Sequence, residues 1–432
     1  MTTTSEEKLS KEQREAVSLL SIGSFLEYFD LMLYVHMTVL LNDLFFPTAT
    51  NPLVKSFVTA FSWSSAYLLR PVGALFFGQI GDIFGRKITI VITTSTMAIC
   101  CLIVAVLPTY NQIGIAAPII LLTARMIQSM SASAEITGTE IYITESIKPP
   151  KQYPLVGSVA FFSTLGSSVA LGIACIVTNP RYMATALFEN SWRIAFFFGA
   201  AIGIIGAVLR NTLKEASEFA DKQKLFKEKI STTSKRTPEA LPLIASFFIY
   251  CGRPACFYFA FGHCTTILRN NFGLSPSEII SHNLIVSVLD VAATGFVAYL
   301  SYKIAPLKII KFRSIAFFAT IFFFPFAMEW FPSAKTVLIF QYITVLFNLS
   351  CLPAVPVLFK YFPVLTRFRY AGMVRSVATV LTYVITSFGW VVVTNALGHK
   401  GIFIILIPVG LLFGWSVLYF EKKEEASHAA IN

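Results

Sequence analysis

The chain has 432 residues, of which 55% are hydrophobic and only 13% charged, with a mean hydropathy of +0.69. A water-soluble fold of that length would lack the polar surface to cover itself, so the composition calls for a bilayer as solvent. A formal charge of +11 would suit nucleic acid in a soluble protein, but the placement of the basic residues points to membrane orientation instead.

The first sixteen residues mix Glu6, Glu7, Glu12 and Glu15 with Lys8, Lys11 and Arg14. That pattern is unlike the short basic start of a secretory signal, so the first apolar run is read as a retained span. Runs long enough for a hydrocarbon core of roughly 30 Å then recur. They cover 17–42, 55–79, 88–108, 114–143, 153–178, 192–211, 242–268, 279–302, 308–329, 336–359, 371–396 and 401–420. None alternates with period two, so helices rather than barrel strands are expected. Of the 34 Lys and Arg, 24 fall on the side of the N-terminus, 6 on the opposite side and 4 within spans, which predicts both termini in the cytoplasm.

The expected organisation is an N-terminal tail over 1–16, a six-helix bundle over 17–211, a cytoplasmic linker over 212–241, a second six-helix bundle over 242–420 and a tail over 421–432. Within the linker, Leu213, Ala216, Phe219 and Ala220 recur at helical spacing and predict a surface helix, with a solvated charged linker as the alternative. Gly199 with Gly203 and Gly410 with Gly414 permit close helix approach. Pro71, Pro254, Pro325, Pro353 and Pro356 predict bent helices. The seven cysteines fall in apolar runs and read as small buried hydrophobes, with no metal site and no cofactor expected.

At the end of span two stands Arg70-Pro-Val-Gly-Ala-Leu-Phe-Phe-Gly78-Gln-Ile-Gly81-Asp82-Ile-Phe-Gly85-Arg86-Lys87. Gly78 and Gly85 would permit a tight turn, and Asp82 can meet a helix N-terminus or an Arg of the other bundle. The run resembles the signature loop of the major facilitator superfamily. Four further stretches narrow the resemblance to its metabolite–proton symporters, which transport proline, betaine and di- or tricarboxylates. They are Glu27-Tyr28-Phe29-Asp30; Arg125 with Gln128, Glu135, Tyr142 and Glu145; Leu213-Lys-Glu215-Ala-Ser-Glu218-Phe219; and Phe362-Pro363 with Arg369-Tyr370-Ala-Gly372. Two departures weaken inference about the solute. Ser131, Ser133 and Ala134 replace paired glycines, and Ser301–Lys308 carries no second signature loop.

Nine ionisable residues lie well inside spans: Glu27, Asp30, Arg70, Arg125, Glu135, Glu140, Arg253, Asp290 and Arg375. Facing lipid they would cost roughly 25 kcal/mol together, at about 3 each, so they must pair or line a wet cavity. Asp30 and Arg125 can meet near mid-membrane, and the resemblance implies such a pair in proton-coupled members. Asp30 is expected to carry the proton, with Arg125 as its partner or as the anchor of a solute carboxylate. Glu27 and Glu135 extend a relay toward the cytoplasm. Arg253, Asp290 and Tyr258 are expected to line the solute site, with His263 a satisfied interior histidine. Glu145 is expected to pair with Arg86, and Asp82 with Arg367 or Arg369. These residues, together with Gly78, Gly85, Lys87 and Glu140, would gate the cytoplasmic side.

The resulting expectation is a twelve-helix secondary transporter, not an enzyme. It would carry out proton-coupled symport of a small organic acid, zwitterion or other metabolite by alternating access. Its place would be a bacterial inner membrane, where it acts as a monomer whose partners are lipid, solute and protons. The alternatives are transport of a larger ligand such as a siderophore or drug, and a transport fold used as a sensor or scaffold subunit.

Overall fold

The computed structural model describes residues 9–46, 67–178, 191–212 and 239–429, so the helix expected within the linker lies outside the described residues. Among the described residues twelve helical spans follow one another. The first six are α1 (Lys11–Phe45), α2 (Arg70–Ile83), α3 (Arg86–Val106), α4 (Ala116–Ser146), α5 (Gln152–Thr178) and α6 (Ser191–Arg210). The second six are α7 (Ala240–Phe257), α8 (Pro276–Leu300), α9 (Pro306–Trp330), α10 (Ala334–Leu346), α11 (Arg367–Val384) and α12 (Ile402–Ala429). No strand occurs among the described residues.

Eight of the spans are long and apolar enough to cross a bilayer on composition alone. The four that fall short are informative. α10 is interrupted and α4 and α11 carry Arg125, Glu135, Glu140 and Arg375, while the stretch before α2 lies outside the described residues. A helix that faces a polar interior needs little lipid-facing apolar surface, so the weakest hydropathy marks the interior of the bundle. Within each half α1 packs on α5, α3 on α6, α7 on α12 and α9 on α12; the halves meet where α2 packs on α11, α5 on α8 and α4 on α11.

Two glycines of the signature run do different jobs. Gly85 adopts φ +108° between α2 and α3, a conformation that side chains rarely take. Gly78 is not in the turn. It lies inside α2, where an added Cβ would sit 2.9 Å from the Arg369 Cα, so its role is close approach of α2 to α11. Likewise Gly203 and Gly410 are crowded by Ala98 and Phe318, but Gly414 faces open space and needs no small residue.

Three spans are irregular along their length. α7 continues through a π-helical turn, Tyr258–His263, into Cys264–Asn270; it follows Pro254, which donates no backbone hydrogen bond. α11 continues through a similar turn, Ile385–Gly389. α10 does not run on as one helix to residue 359: it stops at Leu346 and resumes only over Val355–Phe359. Open backbone at membrane depth survives only inside protein or beside a wet cavity, so this break locates the cavity.

Candidate functional site

The Gly85 end of the molecule is closed by charges that cross from one half to the other. Fully buried Arg86 donates a fork to Glu145, Nε to Oε2 at 3.1 Å and Nη2 to Oε1 at 3.1 Å, and also reaches the carbonyls of Gly81 and Val364. Arg367 completes the carboxylate from α11, Nη1 to Oε1 at 3.1 Å. Arg367 is thereby committed to Glu145. Asp82 instead accepts the Arg369 backbone N–H at 3.2 Å, with the Arg369 Nε 3.9 Å away. Lys87 is half-buried beside this cluster. Nearby, Tyr361 donates to Glu424 at 2.9 Å; burial, and then that carboxylate, push its phenol above the usual range.

Inside the first half, Asp30 and Arg125 do meet: Nη1 donates to Oδ2 at 3.0 Å, and both residues are buried. The same Nη1 donates to the Gln128 Oε1 at 2.6 Å, and the guanidinium lies 4.0 Å from the centre of the Tyr34 ring. Cys101 donates its S–H to the other Asp30 oxygen at 3.0 Å. At this position a cysteine is a polar partner of the carboxylate and not only a small hydrophobe.

Glu135 is held differently from the expected relay. Arg210, fully buried at the end of α6, bonds it together with Thr94, and Thr93 and Thr94 donate to its Oε2 at 2.8 and 3.1 Å. Arg210 also caps the Leu19 and Leu20 carbonyls at 3.0 and 2.9 Å, tying α6 to α1. Three donors from α3 and α6 thus hold this carboxylate in place. Glu27 is the opposite case. It is 1% exposed; among the described residues its oxygens accept no hydrogen bond, and Arg70 is the cation within 4 Å, at 3.9 Å.

A central cavity of about 130 Å³ lies between the halves, bordered by the broken segment of α10 through Asn348, Ser350 and Leu352. Its charged lining is Arg70, Glu140, Arg253, Asp290 and Arg375. Glu140 and Arg375 form a two-pronged bridge across the halves at 2.7 and 2.9 Å, and Arg375 stacks on Tyr250. Glu140 therefore faces the cavity and is not confined to the outer gate. Arg253 lies against Tyr28, with no carboxylate within 4 Å of it among the described residues. Aromatic faces come from Tyr28, Phe257, Phe261 and Tyr383; Tyr67 of the first half meets Tyr383 of the second at 4.3 Å.

Two expected site residues are elsewhere. Arg125 borders a separate small chamber with Glu27, Asp30 and Gln128 and does not line the cavity. Arg70 and Leu31 line both spaces, which puts the Asp30 chamber one residue away from the central cavity. Tyr258 packs against Trp390 outside the cavity, while its neighbours Phe257 and Phe261 face in. His263 is buried against Trp390, and its Nε2 has no hydrogen-bond partner, so it is interior but not satisfied.

Residues 20–390 match the Major Facilitator Superfamily. The chain belongs to that superfamily. It is a multi-pass helical membrane protein, and the twelve-helix facilitator architecture accounts for the order of its spans. The Proline/betaine transporter of Escherichia coli (strain K12) is 36% identical over 207 residues, 48% of this chain and 41% of that protein. The Proline/betaine transporter of Salmonella typhimurium is 36% identical over 211 residues, again 48% and 41%. The chain thus spans less than half the length of these relatives. The proton:xylose symporter XylE, bound to 6-bromo-6-deoxy-D-glucose, superposes with a TM-score of 0.77 at 15% identity over 95% of both chains, a likeness of fold.

In this facilitator, sequence reasoning missed two interior cations. Arg210 ends α6 and is not among the nine ionisable residues expected inside spans, although Gly23 on α1 leaves the room its guanidinium fills. Arg313 lies two turns into α9 and is likewise not among the nine, yet it is 7% exposed.

Proposed function

We propose that this facilitator is a proton-coupled symporter of a small metabolite bearing a carboxylate, an organic acid or a zwitterion, in a bacterial inner membrane with both termini cytoplasmic. The observation that carries this reading is the separation of two charged sites by a shared wall. The buried Asp30–Arg125 pair sits in its own chamber, and Arg70 joins that chamber to a cavity lined by Arg253, Asp290 and the Glu140–Arg375 bridge. Arg125 keeps its charge at any accessible pH, so Asp30 is the member of the pair that can take and release a proton.

Protonating Asp30 loosens Arg125, and the change reaches the cavity through Arg70 and Glu27. Arg253 offers a fork to the solute carboxylate. A cationic head, where the solute has one, is met by Asp290 and the aromatic faces. The names of the E. coli and Salmonella relatives support a zwitterion. A cavity of about 130 Å³ falls below the roughly 300–1,000 Å³ typical of drug-sized ligands, which favours a small metabolite over a chelator or drug.

The test is uptake into proteoliposomes under an imposed inward proton gradient, with radiolabelled proline, glycine betaine, succinate and citrate. At least one is expected to accumulate above its equilibrium level, and collapsing the gradient with an uncoupler abolishes the accumulation. If none of the four accumulates, the assignment of a small carboxylate is wrong.

A further inference from the structure

A side chamber opens off the central cavity between α5, α8, α9 and the broken segment of α10, sharing Ala160, Arg253, Asn348, Ser350 and Leu352 with it. Its volume of about 10 Å³ is room for one water-sized occupant. Arg313 forms its inner wall. The side chain makes one hydrogen bond, Nη2 to the Asn348 Oδ1 at 2.6 Å, and the buried Nε has no acceptor. Among the described residues no carboxylate lies within 4 Å of Arg313 or of Arg253; Asp290 is the acid nearest in kind, lining the cavity outside the chamber.

Two guanidinium groups thus border one small polar space and share a single acid. Taking an arginine out of water is costly unless a counter-charge and hydrogen-bond acceptors meet it. Asn348 supplies one neutral acceptor to five donors. Thr294, Ser350 and the open backbone of the α10 break add small polar groups of the sort that surround an ion. What the chamber lacks is negative charge.

We infer that the side chamber is an anion subsite in which Arg313, together with Arg253, holds one small anionic group. The group is a halide ion or one carboxylate arm of the transported solute, since both present compact negative charge to a guanidinium fork. The carboxylate source rests on the reading of the central cavity as the solute site; the halide source does not. In either case the occupant neutralises the second half's excess cation and fixes Arg253 for the solute.

Binding to purified full-length protein in detergent decides the matter, because it needs no gradient and stands even if no solute accumulates in vesicles. Thermal shift is measured in sodium HEPES, whose sulfonate is bulkier than a halide or a carboxylate, against added chloride, succinate and butyrate. Wild type, Arg313→Gln and Arg313→Lys are compared. A chloride-dependent shift that weakens at least tenfold in apparent affinity in Arg313→Gln identifies a halide. A tenfold loss for succinate with butyrate unchanged identifies a carboxylate arm. Arg313→Lys keeps the charge and loses the fork, so a several-fold loss is expected, and it decides the question if Arg313→Gln does not fold. Equal affinities for chloride and for succinate in wild type and the folded variants would overturn the subsite.

Discussion

Replacing Asp30 with Asn is expected to reduce proton-driven accumulation at least roughly tenfold, equivalent to about 1.4 kcal/mol of driving force, while solute-for-solute exchange persists. Asn keeps the size of the side chain, and its one carbonyl oxygen can still accept from Arg125 while its amide NH2 takes the place of the oxygen that Cys101 reaches; both bonds to Asp30 are 3.0 Å. It cannot ionise. A carrier fixed in the neutral form can still rock with solute aboard, but it has no proton to release on the far side. Counterflow and gradient-driven uptake, measured on the same vesicles, separate the two steps. An equal loss of both would mean that Asp30 holds the fold and not the coupling.

Cutting the bridge across the cavity has a comparably large effect. Glu140→Gln leaves Arg375 without its carboxylate in a largely dry interior, and breaking a buried pair costs about 3–5 kcal/mol. The low end is expected, since the Arg375 side chain is 18% exposed to the cavity. Because the bridge joins α4 to α11, its loss opens the Gly85 end. Hydrogen exchange should rise over residues 366–375 and in the turn about Gly85. The swap Glu140→Arg with Arg375→Glu should restore most of the protection. Unchanged exchange in a folded Glu140→Gln variant would show that Arg86, Glu145 and Arg367 close that end unaided.

The parts of the site legible in the sequence were those carried by spacing within one run or by the family resemblance. Arg86 and Glu145 pair as expected, and Asp30 reaches Arg125 across α1 and α4. What escaped depended on packing between distant segments. Glu140 and Arg375 are separated by 235 positions, and only the seating of α4 against α11 brings them together. Arg210 and Arg313 sit near span ends, where a long basic side chain ordinarily reaches the interface. Instead Arg210 turns inward because Glu135, Thr94 and the Leu19 and Leu20 carbonyls of α1 accept it.

The fold shows the same division. Hydropathy locates the spans, yet it cannot show that α10 unwinds. Pro353 and Pro356 signalled a bend, but the unwound stretch from 347 to 354 is maintained by local contacts. The Leu349 N–H donates to the Cys256 sulfur at 3.3 Å, and the Ala354 N–H donates to the Cys351 carbonyl at 2.7 Å. Those contacts expose Asn348 and Ser350 to the cavity, where neither a continuous helix nor a simple kink would place them together.

The central claim is that solute and proton move together, and the most direct measurement is the external pH of lightly buffered proteoliposomes on adding solute with no gradient imposed. With a solute that accumulates in the uptake assay, the account predicts a rapid external alkalinisation as protons enter with it, and none with Asp30→Asn. Solute entry through the wild-type protein with no accompanying alkalinisation would contradict it.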